Sequence, residues 1–265
     1  MGTELFAGTR GDTFEELARF YESIMEHVDY PRWYRNALLL SDLLPSGFRH
    51  LDAACGTGKF LRECRKVGWD SMGVDLSAAM LREGRMALGQ ARFARADLRA
   101  LPFAGAFDFV TCLFDSVNFV LNDAGVAAAL SGVYGALRPG GLLYFDVVTE
   151  RMVLSHFDGQ QWTEDNGRFR TTWESRYDRK TKFIDTRVRV NTGAEAAIRE
   201  RVHDLVFLRD TLAGVGFKVL AVADAATWRL PKRKTIRVDI VAWKPTAGTM
   251  EARFRKVLKV LRAEA

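Results

Sequence analysis

Between residues 49 and 148, apolar runs of strand length alternate with stretches of helical period, and this alternation restricts the chain to a small set of folds. Residues 49–54 read as a strand that runs into Cys55-Gly56-Thr57-Gly58, followed by a helix to Val67 with Gly68 behind it. Residues 71–74, 91–96 and 107–113 read as further strands. Ser77 has the chemistry and position of an N-cap for a helix carrying Met80, Leu81 and Leu88. Residues 122–137 read as a helix, and Pro139-Gly140-Gly141 turns into a strand over 142–148. Strands joined through helices pair in parallel. The pattern, with two later strands at 217–222 and 236–243, predicts a Rossmann-like, mostly parallel seven-stranded α/β sheet with helices on both faces.

The flanks read differently. Thr13 and Glu16 have capping-box spacing ahead of Leu17, Ala18, Tyr21 and Ile24, and a second helix spans residues 32–44 before Pro45-Ser46-Gly47. Over residues 168–190 the period drops to two: Phe169, Thr171, Trp173, Ser175 and Tyr177 alternate with polar residues, and Asp178-Arg179-Lys180-Thr181 divides the run. That predicts an antiparallel β insertion after the fifth strand. A helix near 205–213 returns the chain to the α/β pattern, and the last fifteen residues form an amphipathic helix with Phe254, Val257, Leu258 and Leu261 on one face. The expected organisation is N-terminal helices over 1–45, an α/β domain over 46–150 and 200–245, a β lobe over 151–199 and a C-terminal helix over 246–265.

Several classes of function are disfavoured by composition. No apolar run reaches the roughly eighteen residues of a membrane span. Met1-Gly2-Thr3-Glu4-Leu5 lacks a basic region followed by an apolar core, so the expected location is cytoplasmic. Cys55, Cys64 and Cys112 form no CxxC pair, which argues against a disulfide framework or a zinc site, and no metal is expected. The net charge of +6 permits an anionic partner without requiring one.

Ligands of open α/β sheets bind beyond the carboxyl ends of the strands. The first such end, Asp52-Ala53-Ala54-Cys55-Gly56-Thr57-Gly58, has glycines that admit close approach of a ligand at a helix N-terminus. Leu61 stands where a dinucleotide fingerprint needs its third glycine, and Asp52 would repel a diphosphate but suit an ammonium. The second end carries Asp75, 23 positions beyond Asp52, near the spacing at which a carboxylate meets a ribose. The alternative is that Asp75 helps cap the next helix, a job Ser77 already does, and little packing role is expected for it. Asp97, at the third, is placed to accept from an exocyclic adenine amine, and the fourth runs Cys112-Leu113-Phe114-Asp115-Ser116.

Taken in order, Leu51–Gly58, Val74-Asp75-Leu76-Ser77 with Met80, Ala96-Asp97-Leu98, Phe107-Asp108 and Leu137-Arg138-Pro139-Gly140-Gly141 resemble the class I methyltransferases that use S-adenosylmethionine (SAM). Cys112–Phe119, Phe145-Asp146-Val147, Tyr21 and Tyr30-Pro31-Arg32-Trp33 look like a bacterial small-molecule branch that includes amino-sugar N-methyltransferases. The resemblance implies SAM as cofactor, with Ala53, Cys55, Gly56, Thr57 and Gly58 under its methionyl part and Asp52 near its ammonium. Asp75 and Leu76 would meet the ribose, Asp97 and Leu98 the adenine, and Met80, Cys112 and Phe114 would complete the pocket. Tyr21, Tyr30 and Trp33 would close over the sulfonium, whose charge is attracted to aromatic faces, or else pack two helices together.

A general base is needed only where the accepting atom keeps its proton until transfer, and the candidates are His203, Asp115, Asp146 and Tyr144. His203 ends Glu200-Arg201-Val202-His203, a run resembling one that this branch places near its substrate. Trp173, Tyr177 and Asn118 are the expected substrate contacts. The expected acceptor is a small molecule methylated on nitrogen or oxygen, by a monomer or homodimer. Nucleic acid or protein as acceptor is the second reading, a non-catalytic SAM-binding protein the third, and an NAD-dependent dehydrogenase the most distant.

Overall fold

The computed structural model describes residues 12–265, so the leader reading on residues 1–5 lies outside the described residues. The α/β half contributes β1 (Arg49–Ala53), β2 (Asp70–Asp75), β3 (Arg92–Arg95), β4 (Phe107–Cys112) and β5 (Leu137–Val148). The insertion adds β6 (Gln161–Asp165), β7 (Arg170–Asp178), β8 (Phe183–Val190) and β9 (Glu195–Arg201), and the chain returns with β10 (Lys218–Asp224) and β11 (Arg237–Trp243). The helices are α1 (Ala18–Ile24), α2 (Tyr30–Ser41), α3 (Lys59–Lys66), α4 (Ala78–Leu88), α5 (Asp123–Ala136), α6 (Glu150–His156), α7 (Leu205–Val215) and α8 (Glu251–Ala263).

Seven strands form one sheet in the order β10-β11-β5-β4-β1-β2-β3, as the alternating pattern predicts. β1 pairs in parallel with β2 and β4, and only β11 and β10 run antiparallel to their neighbours. The order reverses between β1 and β4, which is where such a sheet opens a crevice. Both faces are covered, so every residue of β4 is buried. One face packs Val110, Cys112 and Phe145 against Leu130, Val133 and Leu208 of α5 and α7. The other packs Phe109, Tyr144 and Trp243 against Trp33, Leu40, Phe60 and Phe254 of α2, α3 and α8. The amphipathic α8 therefore spends its apolar face on its own domain.

The flanks depart from the sequence pattern in instructive ways. α1 begins at Ala18, and Thr13 and Glu16 form no capping box. Asp12 instead binds this segment to α4, accepting from the Ser77 hydroxyl (2.8 Å) and the Ala79 amide (3.1 Å). α2 starts two residues early, at Tyr30, because Asp29 caps it (3.1 Å to the Arg32 amide) and Pro31 fits its first turn. The predicted hairpin is the centre of a four-stranded antiparallel sheet, β6-β7-β8-β9. Its last strand, Glu195-Ala196-Ala197-Ile198-Arg199-Glu200-Arg201, has the composition of a helix and is held extended by its ladder to β8.

The two sheets meet at Asn118, which is fully buried. Its Nδ2 donates to the Arg201 carbonyl (2.8 Å) and its Oδ1 accepts from the Val148 amide (3.2 Å), so one side chain joins the end of β9 to the end of β5. Asn118→Leu keeps the number and branching of side-chain heavy atoms but leaves both backbone groups without partners. It should cost about 1–3 kcal/mol in urea unfolding. An unchanged midpoint would show that the junction is held elsewhere.

Candidate functional site

The loop after β1 is a turn built on left-handed residues: Ala54 (φ 61°), Gly56 (φ 55°) and Gly58 (φ 81°), the last being the N-cap of α3. Its position against β2 depends on Gly73, where a Cβ would come within 2.7 Å of the Cys55 sulfur. Asp75, at the end of β2, accepts from the Gly56 amide (2.8 Å) and from the Ser77 amide (2.8 Å). The carboxylate therefore fastens the loop to the start of α4, a larger structural role than the sequence reading gave it. From above, Glu22 of α1 accepts from the Thr57 hydroxyl, and Lys59 donates to the Met25 carbonyl (3.2 Å) while lying over the Tyr30 ring.

Beneath the loop runs a buried polar chain. Thr111 donates to Asp52 (2.8 Å), His50 Nε2 meets the Thr111 hydroxyl (2.9 Å), and His50 Nδ1 meets Ser71 (3.0 Å). A Thr111 hydroxyl that gives its proton to Asp52 must accept from His50, which assigns the histidine proton to Nε2. Burial pushes His50 down to about 3, so the ring is neutral, and pushes Asp52 up to about 7. Asp52 faces the cleft with a carboxyl that gains from a cationic neighbour.

At the end of β4, Phe114 (φ 59°) and Asp115 (φ 49°) both adopt the left-handed conformation, which is costly for residues with side chains. Asp146 on β5 holds them there, accepting from the Phe114 amide (2.7 Å) and the Asp115 amide (3.3 Å). Arg237 of β11 pairs with Asp146 and with Asp115 (2.9 Å), and its guanidinium lies over the rings of Trp33 and Phe114. Tyr30, Trp33 and Phe114 form an aromatic cluster with centroids 5.6–6.0 Å apart.

These strand ends open into one cleft of about 1100 Å³, covered on its far side by the four-stranded sheet. The cleft brings together Tyr21, Tyr30, Trp33, Asp52, Cys55, Gly56, Thr57, Asp75, Leu76, Met80, Asp97, Leu98, Phe114, Asp115 and Trp173. Leu76 is 55% exposed at its rim. Asp97 caps the turn after β3 and is chelated by the Arg99 guanidinium, which lowers its pKa. Ala53, Gly58 and Cys112 sit behind the lining, where they support the loop and the strand.

Other expected site residues do not reach the cleft. Tyr144 is fully buried under α2, its hydroxyl accepting from Asn36 (3.1 Å), and burial raises its pKa far above the usual phenol value. Asp146 is likewise buried and acts on the β4 loop rather than on a ligand. Asn118 is the junction described above. Tyr177 turns away to donate to Glu150 (2.8 Å). His203 is buried outside the lining, its ring against the backbone of Val117 and Val120.

In the run that contains His203, it is Glu200 that faces the cleft. Sequence reasoning passed over it, along with Glu22, Arg237 and Trp162, because each acts through a partner distant in sequence. Among the described residues no group of three or more His, Cys, Asp or Glu side chains is placed to hold a metal ion, and no helix is long and apolar enough to cross a membrane.

Residues 51–141 match the model of a methyltransferase domain family. A Geobacillus protein provisionally named as a methyltransferase is 27% identical over 256 residues, 88% of this chain and 100% of that protein. The dTDP-3-amino-3,6-dideoxy-alpha-D-glucopyranose N,N-dimethyltransferase of Streptomyces fradiae is 31% identical over 140 residues, 52% of this chain and 55% of that enzyme. Among solved structures, a SAM-bound amino pentose methyltransferase from Micromonospora echinaspora superposes with a TM-score of 0.66 at 21% identity, covering 90% of this chain and 99% of the other.

Asp52 generates a test that needs no ligand. Its carboxyl holds its proton more tightly folded (about 7) than at its ordinary value of 3.8, so folding is favoured most below the ordinary value. That contribution is lost as pH rises through about 7. Asp52→Asn should remove this part of the pH slope, worth at most ~4 kcal/mol at 1.4 kcal/mol per unit. Parallel stability curves for the two proteins across that window would contradict the assignment.

Proposed function

The chain is a SAM-dependent methyltransferase built on the class I fold, and we propose that it methylates a small molecule on nitrogen or oxygen inside the covered cleft. The cofactor fits the β1–β4 side of the cleft by chemistry as well as by place. Asp52 offers a buried carboxyl for an ammonium, and Asp75 stands where ribose hydroxyls can donate to it. Leu76 and Leu98 supply apolar surface for a purine, with Asp97 beside them. Tyr30, Trp33 and Phe114 present ring faces suited to a sulfonium. Bound there, SAM supplies a methyl carbon on a positively charged sulfur, which an acceptor lone pair attacks in line. The protein's work is alignment and exclusion of water, and alignment alone is worth roughly 7–11 kcal/mol in well-oriented systems.

The single observation that carries the small-molecule reading is the roof. Trp173 lies almost parallel to Trp162 (interplanar 4°, centroids 5.4 Å), and with Ile184 and Ile198 they cover the cleft on the side away from the cofactor residues. A cavity covered in this way suits a small acceptor better than a duplex or a folded protein. Five basic residues of the insertion are already paired with carboxylates. Arg170 pairs with Asp165, Arg176 with Glu174, Lys182 with Glu150, and Arg187 and Arg189 both with Glu195. The aminosugar acceptor named for the Streptomyces fradiae relative is of the size this cleft suits.

S-adenosylhomocysteine at 100 times its dissociation constant should stabilise the protein by about 2.7 kcal/mol in thermal unfolding, whereas NAD should do nothing. Asp75→Ala should weaken that binding by about 1.5–3 kcal/mol and loosen the β1 loop as well. Trp173→Ala should change which acceptors take labelled methyl from SAM while leaving cofactor affinity within twofold. Stabilisation by NAD alone, or tight RNA binding at physiological salt, would overturn the proposal.

A further inference from the structure

Glu200 and Asp115 approach each other from opposite walls of the cleft, one on β9 of the roof and the other on the loop after β4, and they are within hydrogen-bonding reach. Arg237 holds Asp115 on its other side (2.9 Å). Glu200 Oε1, buried in the same place, makes no hydrogen bond of normal geometry, and Asp115 is the polar side chain facing it. Buried polar atoms of folded proteins are almost always satisfied, so an orphaned oxygen in the lining of a cavity marks where a ligand donor belongs. Nothing in the cofactor half of the cleft accounts for it, since Glu200 belongs to the covering sheet and not to the β1–β3 ends.

On the premise that the cleft binds a small methyl acceptor, we propose that the Glu200–Asp115 pair is its docking point and that it takes a primary amine. A primary amine carries two N–H groups and can donate one to Glu200 Oε1 and one to the Asp115 carboxylate, keeping its lone pair free on the side away from them. A hydroxyl has a single hydrogen and can satisfy only one of the two. Arg237 is shared between Asp115 and Asp146, so Asp115 keeps negative charge with which to accept an amine N–H. Burial and the neighbouring Asp115 charge raise the Glu200 pKa well above the usual carboxylate range, so Glu200 carries a proton of its own. A protonated carboxyl cannot strip a hydroxyl proton, whereas an uncharged amine attacks without prior deprotonation. Glu200 is then an acceptor-binding residue, and Arg237 a positioning residue that keeps Asp115 in place.

The test uses the full chain and four probes of one shape, aniline, N,N-dimethylaniline, phenol and toluene, with binding followed by ligand-observed NMR in the presence of S-adenosylhomocysteine. Aniline should bind at least tenfold more tightly than N,N-dimethylaniline and toluene, and more tightly than phenol. Glu200→Leu should cut the preference for aniline over toluene at least fivefold while circular dichroism and S-adenosylhomocysteine affinity stay unchanged. Glu200→Gln, which keeps an acceptor oxygen, should retain most of the preference. Equal binding of aniline and toluene to the native protein, a preference for phenol, or a preference undiminished by Glu200→Leu would each overturn the proposal. Failure of S-adenosylhomocysteine to bind would count instead against the cofactor assignment, and the aniline series without it still decides the role of Glu200.

Discussion

The cleft depends on one buried ion pair. Asp146 and Arg237 lie on adjacent strands, β5 and β11, and the carboxylate spends its remaining capacity on the amides of Phe114 and Asp115. Two consecutive side-chain-bearing residues in the left-handed region would each relax if released. Held as they are, they aim Phe114 at the aromatic cluster and Asp115 at the roof. Removing either partner of such a pair strands a buried charge, which is far more damaging than never having had the pair. Asp146 thus shapes a site it does not line.

Around that clamp the molecule divides its labour between two sheets. The parallel sheet supplies strand ends whose carboxylates sit at fixed positions, because β1, β2 and β4 are locked in register and buried on both faces. The antiparallel sheet supplies cover. Its inward residues alternate, so Thr171, Trp173 and Ser175 are all buried while their neighbours form ion pairs outside. Asn118 fixes the distance between the sheets. With α1 fastened to the β1 loop through Thr57 and Glu22, three separate parts of the chain enclose one volume.

Most of the parallel sheet was legible in the sequence, because strand ends such as Asp52-Ala53-Ala54-Cys55-Gly56 combine an apolar run with a turn that few residues permit. The proposed cofactor residues followed from the same strand ends. The acceptor side did not. β9 was missed because its Ala- and Glu-rich sequence favours helix and only its pairing with β8 makes it a strand. His203 was chosen over Glu200 on residue type and on the resemblance of its run, although the strand ends at Arg201 and only the ladder to β8 shows that Glu200 faces inward. Tyr144 and Asp146 have functional side-chain chemistry and structural surroundings, a distinction that lies wholly in tertiary contacts.

The measurement closest to the central claim is hydrogen exchange of backbone amides with and without S-adenosylhomocysteine. If the β1–β4 strand ends hold the cofactor, protection should rise in peptides covering residues 52–58, 75–80 and 113–116, with smaller changes over the roof. Protection confined to the insertion or to α8, with these three segments unchanged, would contradict the account.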